Sequence, residues 1–237
     1  MTSQGGVSRA HGRSTLQKGA FWLLHLGVIL ICVWLAALDG IHTIGSAFGF
    51  DWSLSDPVRA LVLLLCAVIY FLRHGITLFY LLVRRIEWAE ALGLTAFMAL
   101  FEIGLLVIGG GVMRTEPLPF DALDVLAGLL FLLGSFLNSG SEIQRKLWKR
   151  DPANKGHCYT GGLFAYSMHI NYFGDVVLFT GWSLLTHNVW TLVLPVFMLL
   201  SFAFMHIPAL DAYLAERYGA EFQAYATRTK KLVPFIW

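Results

Sequence analysis

Charge is what this sequence has least of: Asp, Glu, Lys and Arg make up 14% of its 237 residues, while 57% are hydrophobic. At a mean hydropathy of +0.66, too few charged groups are present to cover a water-soluble globule, so the composition is that of an integral membrane protein. The 17 Lys and Arg nearly balance the 15 Asp and Glu, leaving a formal charge of +2. That excludes a nucleic-acid binder built on a basic surface and an acidic disordered tail alike. Cysteine is sparse too. Cys32, Cys66 and Cys158 lie far apart, form no CxxC pair and leave one over, so neither a disulfide framework nor a zinc site is indicated. Absent as well are a GxGxxG following a strand, a GxxxxGK[ST] and an HExxH, which removes the Rossmann domain, the phosphate loop and the zinc-protease helix as ways of holding a cofactor or metal.

Long apolar runs are there in their place. A spanning helix needs roughly 20 mainly apolar residues, because its backbone N–H and C=O groups must pair within the hydrocarbon. Six stretches qualify: 21–38, 58–83, 88–112, 123–137, 163–186 and 189–206. The fourth is short and the fifth is interrupted by polar residues. The expected fold is therefore all-α, a polytopic bundle of about six transmembrane helices with both termini cytoplasmic. Its parts are a cytoplasmic segment 1–20, a membrane bundle 21–206 with a cytoplasmic, cofactor-facing segment 138–162, and a cytoplasmic tail 207–237. The first apolar run has no small-residue cleavage site after it and is expected to be retained. With this layout fourteen of the 17 Lys and Arg face the cytoplasm; Arg59 and Arg114 fall outside and Arg73 lies within a span.

Ionisable residues at bilayer depth are costly and mark cavities or partners. Arg73 and Glu102 fit either an interhelical ion pair or a site. Asp175 arrives with Tyr166, Ser167, His169, Asn171 and Tyr172 within ten residues, more hydrogen-bonding groups than a lipid-facing helix tolerates. Asn138, Glu142, Lys146 and Lys149, spaced four, four and three apart, share one face of a helix leaving the membrane. That stripe reads as a solvated face, or as an acid and an amide for a nucleotide's ribose and amide hydrogens with lysines for its phosphates.

The stripe, the segment GGLFAYSMHINYFGD at 161–175 and the closing LVPFIW together resemble the steroid 5-alpha-reductase superfamily, including its bacterial DUF1295 and sterol-reductase-like branches. The resemblance is ordered over 126–237 and continues more weakly back to Tyr70. Asn171, Tyr172, Gly174 and Asp175 also fit the RHxNYxGD form of the sterol reductases. The resemblance implies a reductase that holds NADPH in a pocket open to the cytoplasm and delivers hydride to an activated C=C bond of a steroid, sterol or other lipid enone entering from the bilayer. On this correspondence Arg84 or Arg85, Asn138, Glu142, Lys146, Lys149, Tyr166, His169, Asn171, Tyr172, Asp175, Tyr218 and Arg228 are the cofactor-side residues. Tyr70, in a Tyr-x-x-Arg ending at Arg73, is the donor to the substrate carbonyl, and Asp39 is the nearest match to the family's first-span acid. A positioned phenol or carboxylic acid stabilises the oxyanion that hydride addition builds, while the hydride chemistry belongs to the cofactor.

The departures are specific. Met168 and Ile170 stand where the bacterial RHPNY form has Arg and Pro, Leu210 stands at an expected basic position, and the family's first span has no counterpart. The main alternative is an S-adenosylmethionine-dependent membrane methyltransferase of the isoprenylcysteine or phospholipid type, which shares the fold but shows RHPxYxG and a Glu-Glu pair in the tail; Asp211, Glu216 and Glu221 do not form that pair. A non-enzymatic channel or scaffold is the third reading. The compact loops suggest a bacterial inner membrane, with no metal and no nucleic acid involved.

Overall fold

The structure, a computed structural model, describes residues 12–237. Most of the expected segment 1–20 therefore lies outside the described residues. Those described are all-α, and five helical segments are long and apolar enough to cross a membrane: Thr15–Ala37, Pro57–Leu81, Trp88–Gly109, Ala122–Trp148 and Val189–Tyr218. The protein is an integral membrane protein. The remaining expected span, 163–186, becomes a short 3-10 turn at Gly162–Ala165 and a helix at Ile170–Leu184. Its 15 residues reach only about 22 Å, short of a roughly 30 Å hydrocarbon core.

In chain order the helices are α1 (Thr15–Ala37), α2 (Gly40–Ala47), α3 (Pro57–Ile76, prolonged by a π turn at Thr77–Leu81), α4 (Trp88–Gly109), α5 (Ala122–Trp148), α6 (Ile170–Leu184), α7 (Val193–Ser201), α8 (Ile207–Tyr218) and α9 (Ala220–Arg228). A π turn at Phe202–His206 joins α7 to α8. The chain forms two compact units, the divisions among the described residues falling within α5, within α6 and just before α7.

The first unit holds the described residues up to Gly128 and Gly181–Leu192. Here α1 packs against α3 and α4, burying Val28, Cys32, Leu35, Ile41 and Leu106. Its α3 begins where the sequence signals it: Pro57 occupies the first turn, and the Asp56 carboxylate accepts from the Arg59 N–H at 3.2 Å. Arg59, expected outside the membrane, is fully buried. Its guanidinium pairs with Asp56 (3.0 Å) and Asp124 and donates to the Leu185 carbonyl (2.9 Å), while His187 Nε2 donates to Asp124 (3.0 Å). A charge buried at a helix start survives because each of these groups has a partner.

The second unit holds Leu129–Thr180 and Val193–Trp237. In it α5 meets α6 backbone to backbone at two glycines. A Cβ on Gly134 would sit 2.2 Å from the Leu178 nitrogen, and one on Gly174 would sit 2.5 Å from the Asn138 nitrogen. Only glycine permits this approach. The start of α6 is delayed because the chain ahead of it pairs with the C-terminal tail: the N–H groups of Met168 and His169 donate to the carbonyls of Lys230 (2.8 Å) and Lys231 (3.0 Å), and the Ser167 hydroxyl donates to Leu232 (2.8 Å). Those donors are then lost to any continuous helix. The tail is held further by Phe222 and Tyr225 of α9, which pack with Cys158 and Met168.

Candidate functional site

The glycine crossing sets the polar geometry of the second unit. One turn beyond Gly134, Asn138 donates through Nδ2 to the Asn171 carbonyl at 3.1 Å, and one turn further Glu142 accepts from Asn171 Nδ2 at 3.1 Å. Asn138 and Glu142 of the expected stripe thus turn towards α6. The other Glu142 oxygen accepts from Arg145, whose guanidinium also lies 5.8 Å from the Phe164 ring centre. Lys149 follows the end of α5 and donates to the Tyr218 hydroxyl at 2.8 Å. The neighbouring glycine at 162 has φ +55, and a side chain there would strike Gln144 and Tyr159; Gln144 instead accepts from the Leu163 N–H at 2.9 Å.

His169 is buried, and its Nε2 donates to Asp211 of α8 at 2.8 Å. Its ring lies parallel to Tyr172 at 5.6 Å, and Tyr172 lies parallel to Phe202 at 4.5 Å. The side chains of Glu142 and Asp211 remain 18% and 19% exposed, so both carboxylates can still be reached by a ligand. Lys146 and Asp175 are half-buried on α5 and α6. Tyr166 is exposed and meets Phe235 of the tail edge-on rather than joining this cluster. Arg228, on α9, donates to the Thr160 hydroxyl at 3.1 Å. Burial holds the Cys158 thiol and the Tyr159 and Tyr225 phenols protonated to higher pH than usual, and Tyr225 donates to the Phe164 carbonyl at 2.5 Å.

Three of the expected residues, together with Asp39, belong to the first unit. Arg84 forms a two-pronged pair with Glu90, and Arg85 is exposed against Gly12. Tyr70 packs edge-on against His25 at 5.9 Å and beneath Arg73 at 5.7 Å. Asp39 is not beside it. Its side chain is 79% exposed past the end of α1, about 18 Å along the axis from His25 at a helical rise of 1.5 Å per residue. Left-handed backbone (φ +60) puts Asp39 at the N-cap position of α2, where its carbonyl accepts from Thr43. Glu102, a buried acid of this unit, has His25 as its partner at 2.7 Å. An open depression of about 420 Å³ among Arg13, Lys18, Leu78 and Leu82 is lined by none of the expected residues. Asp211, Phe202, His25 and His74 carried no sequence signal, because each meets its partner only through the fold.

The donor set of the second unit, an acid–amide pair, a histidine–carboxylate pair, an aromatic stack and flanking Lys and Arg, fits an adenosine-containing cofactor. A polytopic helical membrane protein with such a cluster at one helix crossing is the class that fold and site define. The chain belongs to the DUF1295 family, a family described as of unknown function, whose model matches residues 94–229. A curated relative is the probable O-methyltransferase ustE of Ustilaginoidea virens, 33% identical over 90 residues. That match covers 38% of this chain and 32% of the relative, so the chain spans about a third of the relative's length.

Proposed function

We propose that this protein is an S-adenosylmethionine-dependent membrane methyltransferase that acts on an oxygen of a lipid-soluble acceptor entering from the bilayer. The observation that carries the reading is the similarity to a probable O-methyltransferase, which favours methyl transfer over the hydride transfer expected from the sequence. The residues of the second unit fit such a cofactor without a phosphate loop. Glu142 and Asp211 offer carboxylates to a ribose diol or an α-ammonium, and Lys149 and Arg228 offer cations to a carboxylate. Bound, the cofactor supplies an electrophilic methyl group on a sulfonium. Asn138 and Asn171 orient Glu142, and Asp211 fixes the tautomer of His169 with Nδ1 left as the acceptor nitrogen. An imidazole so held can take the proton that a hydroxyl acceptor loses when its oxygen is methylated.

One observation sustains the reductase as a second reading: Asn171, Tyr172, Gly174 and Asp175 in the order that resembles the sterol reductases. In either reading the site faces the cytoplasm, where the basic residues after α5 are concentrated. The test is transfer of label from methyl-labelled S-adenosylmethionine into the lipid extract of membranes containing the protein. Label above the background of empty membranes, lost in Asn171→Ala, is the expected result. Unlabelled lipid with oxidation of NADPH by the same membranes would reinstate the reductase.

A further inference from the structure

Inside the first unit a second polar cluster takes no part in the site above. Glu102 of α4, His25 of α1 and His74 of α3 are all buried, 1%, 0% and 8% exposed. They form a line: Oε1 of Glu102 lies 2.7 Å from Nε2 of His25, and Nδ1 of His25 lies 2.8 Å from Nδ1 of His74. Both ring nitrogens of His25 are used. The far ends, Oε2 of Glu102 and Nε2 of His74, are buried and meet no hydrogen-bonding partner among the described residues. Apolar and aromatic groups wall the line: Phe21 meets His74 at 4.3 Å and Phe71 meets His25 at 5.2 Å. The titratable and charged groups facing it are Tyr70 and Arg73 of α3 and Cys32 of α1, which lies within electrostatic reach of Glu102.

Two hydrogen-bonding patterns satisfy these contacts with every ring where it stands. In one, Glu102 is a carboxylate, the His25 Nε2–H donates to it, and the His74 Nδ1–H donates to Nδ1 of His25. In the other, a protonated Glu102 donates to Nε2 of His25, the His25 Nδ1–H donates to Nδ1 of His74, and His74 carries its proton on Nε2. The second pattern holds one proton more. We infer that Glu102, His25 and His74 form a proton-relay site within the membrane, which takes up one proton at Nε2 of His74 and stores one on Glu102. The proton that arrives is not the one that is stored. It binds Nε2 of His74, the Nδ1 proton of His74 passes to His25, and the Nε2 proton of His25 passes to Glu102. Both imidazoles end neutral, the net charge of the three groups goes from −1 to zero, and only protons move. Concerted transfer along a hydrogen-bonded chain leaves all three groups neutral, whereas an imidazolium beside the Glu102 carboxylate would keep two separated charges in hydrocarbon. A pair of ionised side chains, the role that the sequence allows for Glu102 with Arg73, would need neither histidine.

The site is independent of the methyl-transfer reading and is tested without it. Histidine-labelled wild-type protein in lipid bilayers is followed by nitrogen NMR as the pH is lowered from about 9 to about 5, a range that brackets the ordinary histidine titration, with the carboxyl C=O band recorded by infrared difference on the same samples. The expected result is a swap of the His25 proton from Nε2 to Nδ1, both imidazoles staying neutral, together with a rising C=O band that is absent in Glu102→Gln. In His74→Phe, exchange of the carboxyl proton for deuterium should be lost or slowed, since its point of entry is gone. Appearance of a doubly protonated His25 or His74, or an unchanged His25 tautomer across the range, would overturn the relay. The wild-type NMR result stands even if a variant fails to insert.

Discussion

At the scale of single residues, the second unit is held by contacts whose chemistry can be switched one at a time. Tyr225 is a buried phenol that donates to the Phe164 carbonyl, and burial raises its ionisation above the ordinary value of 10. A group with a raised folded-state value contributes stability that is intact below its unfolded value and is lost as pH rises towards the folded one. Thermal stability of the purified protein should therefore fall above about pH 10, and Tyr225→Phe should flatten that alkaline limb while lowering stability by about 1 kcal/mol at neutral pH through loss of the hydrogen bond. An unaltered alkaline slope in the variant would place the titration elsewhere. Glu142 and Asn171 belong to the same scale. Glu142→Ala should weaken cofactor binding at least about tenfold, the loss of about 1.4 kcal/mol expected for one charge-assisted hydrogen bond, with the helical circular dichroism unchanged.

Helices explain why those residues meet. The α5–α6 crossing is fixed by Gly134 and Gly174, and Asn138 reaches Asn171 only because the two backbones touch there. Gly174→Ala puts a methyl group 2.5 Å from a backbone nitrogen that cannot move away as a side-chain tip would. The variant should lose about 3 kcal/mol of stability, at the upper end for overpacking, and lose cofactor binding along with it. In the first unit the start of α3 depends on Arg59. Arg59→Met strands the carboxylates of Asp56 and Asp124 in a buried setting, for a loss of about 4 kcal/mol, and chemical unfolding of the variant measures it. Most of α5 was legible in the sequence, since an i, i+4 stripe can face only one way. The break before α6 was not. Residues 163–169 look helical by composition, and only the tail, some sixty residues later in the chain, removes the N–H groups that a helix would use.

Taken whole, the molecule divides its polar groups between two units, and hydropathy alone showed neither. The apolar runs gave the all-α membrane fold because every spanning segment must satisfy its own backbone, a local requirement that composition records. Partner choice inside the bundle is not local. His169 and Asp211 lie 42 residues apart, and His25 and Glu102 lie 77 apart, so spacing could not pair them. The residue types around Asn171 serve a dinucleotide or a sulfonium cofactor alike, and the similarity to a probable O-methyltransferase is what tips the reading towards methyl transfer. The measurement that bears most directly on that reading is the thermal stability of the detergent-purified protein with S-adenosylmethionine, S-adenosylhomocysteine, NADPH or NADH at equal concentration. A ligand at 100 times its dissociation constant stabilises by about 2.7 kcal/mol. The account predicts protection by S-adenosylmethionine and its homocysteine product, abolished in Glu142→Ala, and none by either nicotinamide; protection by NADPH alone would contradict it.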